Sequence, residues 1–168
     1  MIAVAFFLFM LLGVLGEIKR KPGPRGRRTV SDTSNNILRT IAEGLREHSP
    51  TLSARIVGDT LTITPPGKDG FSVWLQDNAG SYTVGFDGWH EEFDAEEEAL
   101  DWVAFGLSGD CRLKVVYRGS FAQSWTLESK TDEGWKWHST TGQLVFPFWR
   151  RPRVVYLSNG GNIEDPEV

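Results

Sequence analysis

The sequence lacks most of the side-chain patterns on which small enzymes depend. It has one cysteine in 168 residues, Cys111, which excludes an internal disulfide and a cysteine-rich zinc site. The glycine-rich phosphate-binding motifs, the H-E-x-x-H zinc motif, the G-x-S-x-G nucleophile motif and the C-x-x-C redox motif are all absent. No cofactor is therefore predicted, and we expect Cys111 to fill space in the core.

Basic residues are scarce outside one short segment. The chain has 18 basic and 22 acidic side chains, and six of the bases lie between Glu17 and Arg28. From Thr29 onward, 12 bases face 21 acids. Affinity for nucleic acid comes mainly from Lys and Arg at the phosphates, so this composition argues against nucleic acid as a partner.

An apolar run near the N-terminus is the clearest single signal. Residues 2–15 (IAVAFFLFMLLGVL) contain no charged or polar side chain. As a helix the run would be about 21 Å long, which is short for a hydrocarbon core of about 30 Å. The bases behind it favour keeping that side in the cytoplasm. We expect residues 1–16 to be a membrane anchor or signal-like segment, with the membrane as a partner through residues 2–15.

Two alternatives to the anchor stay open. Cleavage after Gly16 would release a secreted protein, although the basic segment that precedes the apolar run of a signal peptide is missing. A start site placed too early would instead leave a soluble cytoplasmic protein.

The remainder divides into three parts by composition. Residues 17–32 are rich in Pro, Gly and Arg and predict an extended linker. Residues 33–159 carry the periodic apolar patterns of a folded domain, and residues 160–168 have no core-forming pattern.

The domain is predicted to be α+β. Apolar residues at three- and four-residue spacing indicate helices over Thr33–Glu47 and Ala95–Leu107, the second capped by Asp94. A single antiparallel sheet of six to seven strands, with both helices on one face, accommodates this order. The predicted strands are Ala54–Thr64, Phe71–Gln76, Ser81–Phe86, Arg112–Arg118, Ser124–Lys130, Gly134–Ser139 and Arg153–Leu157.

An acidic segment, Gly85–Trp102, offers one possible catalytic or metal site. Oxygen-rich clusters can bind calcium or magnesium, and a carboxylate beside an imidazole can do acid–base work. Against this, acids in a first helical turn are favoured by the helix dipole alone. The candidate metal or acid–base residues are Asp87, His90, Glu91 and Asp94.

A second unusual segment runs from Ser139 to Leu157. Pro147 removes a ladder donor, so this part must be an edge, a bulge or a loop. Aromatic side chains beside arginines are typical of binding surfaces, and they also suit a membrane surface. The hypothetical binding surface combines Trp89, His90, Phe146, Phe148, Trp149, Arg150 and Arg151.

Three segments between residues 71 and 159 are distinctive in order: GFDGWHEEFD, EEEALDWVAFGLSGDCRL and STTGQLVFPFWRRPRVVYL. They resemble an uncharacterised family of small bacterial α+β proteins. Because no activity is assigned to that family, the resemblance implies a bacterial source and no catalytic residue.

Together these observations predict a membrane-tethered domain that binds an unidentified protein partner or a ligand without catalysis. Its location would be the bacterial inner membrane, crossed once, with the domain in the cytoplasm. The alternative is a metal-dependent or acid–base enzyme that uses the acidic segment.

Overall fold

The structure, a computed structural model, describes residues 30–65 and 67–160. The predicted anchor at residues 1–16, most of the linker at 17–32 and the tail after residue 160 lie outside the described residues.

The described residues form two helices and nine strands. The helices are α1 (Val30–His48) and α2 (Glu96–Leu107). The first sheet contains β1 (Ser53–Val57), β2 (Thr60–Thr64), β3 (Val73–Asp77), β4 (Tyr82–Phe86) and β5 (Trp89–Phe93), in that order. The second contains β6 (Cys111–Arg118), β7 (Phe121–Thr131), β8 (Gly134–Gly142) and β9 (Pro152–Leu157), in the order β8-β7-β6-β9. Every neighbouring pair is antiparallel.

The α+β class is confirmed, but the single sheet is wrong. The predicted strand 54–64 is a hairpin that turns at Gly58, whose φ of 59° suits glycine. The predicted helix cap is also wrong, because the N-cap residue is Ala95 and no side chain caps it. β5 was not predicted, since only its first and last residues, Trp89 and Phe93, are apolar.

Both helices pack into the core of the first sheet. α1 contacts β1 and β2, while α2 contacts β3, β4 and β5. The apolar face of α1 buries Leu38, Ile41 and Leu45, whose three- and four-residue spacing produced the sequence prediction. Buried side chains of β2, β3 and β4 form one core cluster with the buried side chains of both helices.

The second sheet packs against the same core. Its inward side chains Cys111, Leu113, Val115 and Leu127 are all fully buried. Burial raises the pKa of the Cys111 thiol, so the group is held neutral in the core position expected for it. Asn159, just after β9, bonds to Phe71 and to the carbonyl of Gly106, which ties the end of the second sheet to the first and to α2.

A bulge in β8 aligns the two sheets. Leu127 pairs with Ser139 and Glu128 pairs with Trp137, so His138 is an extra residue. The bulge places Ser139 on the same face as buried Leu127, although Trp137 two residues earlier lies on the outer face. From there the Ser139 hydroxyl accepts a 2.8 Å hydrogen bond from the indole N–H of Trp89 in the first sheet.

Replacing Ser139 tests this junction. Ser139→Ala leaves the buried indole N–H of Trp89 without its acceptor and should lower the free energy of unfolding by about 1–3 kcal/mol. Ser139→Thr retains the hydroxyl and should change it by less than about 0.5 kcal/mol. Urea unfolding measures both; equal stability of the two variants would show that the bond adds nothing.

Candidate interaction surface

The loop between β8 and β9, residues 143–151, is the most unusual surface of the described chain. Its start follows β8 through a 2.9 Å bond from the Gln143 amide to the Gln123 carbonyl. Pro147 lies in the loop and in no strand, as the sequence predicted. A turn follows, in which the Arg150 amide donates to the Pro147 carbonyl at 3.0 Å.

Large apolar side chains of this loop face solvent. Leu144 is 98% exposed, Val145 85%, Phe148 75% and Trp149 72%. These are four of the seven large hydrophobic side chains exposed in residues 37–65 and 67–160. Scattered apolar exposure is normal on proteins, but its concentration in one segment makes that segment a candidate interaction site.

Arg118, at the end of β6, holds the loop backbone in place. Its Nη1 donates to the carbonyl oxygens of Phe148 at 3.0 Å and of Arg150 at 2.6 Å. Its Nε donates to Oε1 of Gln123 at 2.7 Å, and its guanidinium lies 5.2 Å from the ring centroid of Phe146. The loop therefore has a fixed backbone under its exposed side chains.

Two cations lie directly beside the exposed rings. Arg150 and Arg151 are exposed, and no ion pair joins either of them to an acid within the described residues. The Arg150 side chain passes over Gly119, where a Cβ would lie 2.3 Å from Nη1. A larger residue at 119 would push this arginine away, and the φ of 66° there also favours glycine.

The remaining members of the predicted surface lie elsewhere. Trp89 is 1% exposed and stacks on Phe86 with centroids 4.9 Å apart, so it belongs to the core and cannot contact a partner. His90 is exposed, but it lies in the first sheet, 6.4 Å from the ring of Trp74. The candidate surface is thus reduced to the loop residues Phe146, Phe148, Trp149, Arg150 and Arg151, and gains Leu144 and Val145.

The four residues of the metal or acid–base alternative do not share one site. Asp87 lies in the β4–β5 turn with a φ of 50°, and its Oδ1 accepts a bond from the Ser72 amide. His90 and Glu91 are consecutive in a strand, so their side chains leave opposite faces. Asp94 follows the strand. Within the part of the chain that the structure describes, no three His, Cys, Asp or Glu side chains are grouped to hold a metal ion.

Glu91 instead approaches a histidine that sequence reasoning did not select. Its Oε2 lies 3.9 Å from Nε2 of His138, the bulged residue of β8. His138 also lines a cleft of about 300 Å³ with Asp101, Trp102 and Phe105, and its ring centroid is 4.8 Å from that of Trp102. No local pattern in the sequence predicts this pairing, because it depends on the bulge at His138.

Charge is divided between the two halves of the described chain. Residues 30–110, which form the helices and first sheet, carry four basic and fifteen acidic side chains. Residues 111–160, which form the second sheet, carry eight basic and three acidic ones. The β8–β9 loop therefore belongs to a basic sheet on a protein that is acidic as a whole.

Comparison with protein families, curated proteins and solved structures finds no match for this chain. Neither α1 nor α2 combines the length and apolar character that crossing a bilayer requires.

Substitution of Arg118 tests whether its hydrogen bonds order the loop. In Arg118→Met we expect amide exchange at Phe148 and Arg150 to accelerate roughly tenfold, since lost bonds to a charged donor contribute about 1.5 kcal/mol to local stability. Arg46→Met, an exposed arginine of α1, is the control. Unchanged exchange in Arg118→Met, measured by hydrogen–deuterium NMR, would show that other contacts fix the loop.

Proposed function

We propose that this protein is a non-catalytic interaction domain whose binding surface is the β8–β9 loop. The observation that carries the proposal is the exposure of Leu144, Val145, Phe148 and Trp149 on a backbone fixed by Arg118. Apolar surface of this kind favours aggregation when nothing covers it. A loop whose backbone is fixed holds that surface in one arrangement, which a partner can recognise.

The side chains of the loop support binding as its role. Trp and Arg are the residues that most often dominate binding energy, and here Trp149 is followed directly by Arg150 and Arg151. The Phe148 and Trp149 rings meet edge to face with centroids 5.1 Å apart, so they present one joined apolar surface. Such a surface loses ordered water on contact with a partner without a large change in the fold.

The proposal places the domain on the cytoplasmic side of a bacterial inner membrane. Residues 2–15 would form the anchor, and the six bases between Glu17 and Arg28 would remain on the inner side. The support is the sequence pattern together with the basic character of the second sheet, which suits an anionic leaflet.

Cell fractionation tests the tether. The full chain should sediment with membranes and stay there in about 1 M salt, where charge attraction is screened within about 3 Å. A variant lacking residues 1–28 should be released by the same wash, because the apolar run is then gone. A full chain found wholly in the soluble fraction, or a mature form that begins near Val30, would contradict the tether.

Photo-crosslinking in the producing cells tests the surface. A photoreactive phenylalanine analogue in place of Trp149 should give specific adducts with a neighbouring molecule, whereas the same analogue at Val57, 61% exposed on β1, should give none. Trp149→Ala should leave the free energy of unfolding within about 0.5 kcal/mol of the parent, since the ring is mostly in solvent. Equal labelling at both positions would remove the loop as the binding surface.

A further inference from the structure

The shape of the β8–β9 loop indicates what kind of partner it fits. Leu144 is 98% exposed and Val145 85%, so these side chains rest on almost nothing of their own protein. Phe148 and Trp149 are mostly exposed as well, whereas Phe146 and Pro147 between the two pairs are half-buried. A protein interface normally needs a broad complementary surface of about 800 Å² per partner. A short exposed segment such as this loop fits better into a fluid layer, which can close around it, than against a rigid protein surface.

The charges around the β8–β9 loop indicate the charge of the surface that the loop would contact. Arg150 and Arg151 adjoin the exposed rings, and Arg118 lies directly behind the loop backbone. Residues 111–160, which include the loop, carry eight bases against three acids, whereas residues 30–110 carry four against fifteen. A negative surface would attract the loop side and repel the helices and the first sheet, and so would orient the domain.

We infer that the partner of the β8–β9 loop is the anionic headgroup layer of a lipid bilayer. Leu144, Val145, Phe148 and Trp149 enter the boundary between headgroups and acyl chains, and Arg150 and Arg151 meet lipid phosphates. The inference rests on the proposed function, because it names the partner of the same surface. Aromatic rings at that depth match the placement of Trp in membrane proteins generally.

A weak contact of this kind is sufficient when the chain is already tethered. Residues 2–15 would hold the domain beside one leaflet, so the loop would meet lipid at a high effective concentration. Stable membrane attachment commonly combines two signals, each modest alone. The loop then sets how the domain faces the membrane, and the N-terminal run keeps it there.

Site-specific fluorescence on the full chain tests this inference. Phe148→Cys is labelled with the polarity-sensitive dye NBD, and Val57→Cys on the first sheet is the matched control. Cys111 has no exposed surface and remains unlabelled in the folded protein. Leu144→Cys, which removes the most exposed side chain of the loop, is a second site if Phe148→Cys folds poorly. The chain is reconstituted into vesicles of phosphatidylcholine with phosphatidylglycerol, and into vesicles of phosphatidylcholine alone.

We expect spin-labelled lipids to quench the dye at position 148 several-fold more than at position 57 in the anionic vesicles. The difference should shrink in phosphatidylcholine alone and in an Arg150→Gln/Arg151→Gln variant, because both remove the charge attraction. Equal access of aqueous iodide to both positions in anionic vesicles would overturn the inference, and quenching indifferent to lipid charge would overturn its anionic part.

The two tests separate this inference from the proposed function. If Trp149 crosslinks to a protein in cells while position 148 stays in water on vesicles, the loop is an interaction surface and its partner is not lipid. If position 149 gives no specific adduct and position 148 stays in water, both proposals fail. Lipid adducts at 149 together with quenching at 148 support both.

Discussion

The contact between the two sheets determines where every other surface of this protein lies. Trp89 is buried on the edge strand of the first sheet, stacks on Phe86 and Trp102, and donates its indole N–H to Ser139 of the second sheet. An indole of this size contributes much apolar area, yet its N–H must find an acceptor when buried. The β8 bulge supplies that acceptor by moving Ser139 to the inner face. This bond, together with the shared apolar core and the bonds of Asn159, sets the position of the second sheet and hence of the β8–β9 loop.

The same junction keeps the acidic and basic halves of the domain apart. The acids of β5 and α2 gather on the first sheet, and the bases gather on β6, β7, β8 and the loop beyond β8. Among the ion pairs of the described residues, Glu91 with His138 crosses the boundary, at 3.9 Å between two half-exposed side chains. At this separation and exposure an ion pair contributes little. Apolar contacts, the Trp89 bond and the bonds of Asn159 therefore hold the sheets together. The division of charge between the two halves can then orient the domain in an external electric field.

The sequence predicted the elements that local patterns determine and missed those that depend on distant pairing. Helices α1 and α2, the β3–β4 hairpin and the strands of the second sheet follow from spacing and turn residues that neighbours along the chain supply. The division into two sheets does not follow from local patterns. The sequence of β5 is WHEEF, in which apolar and polar residues do not alternate. Of the predicted binding surface, Phe148, Trp149, Arg150 and Arg151 are exposed, as the aromatic–arginine run indicated. Trp89 was misplaced because only long-range packing shows that its ring is core, and Arg118 was missed because its role depends on a loop thirty residues away.

Arg118 shows why the exposed rings of the loop are better explained by binding than by chance. Two of its donor bonds fix the loop backbone, and a third anchors its guanidinium to Gln123 of β7, although none of them buries the apolar side chains that the loop carries. Stability alone would be served by turning Phe148 and Trp149 inward, where each ring could add apolar contact. An ordered backbone with exposed rings instead lowers the conformational entropy that the loop would lose when a partner binds. This arrangement is the physical basis of the proposal that a partner covers those rings.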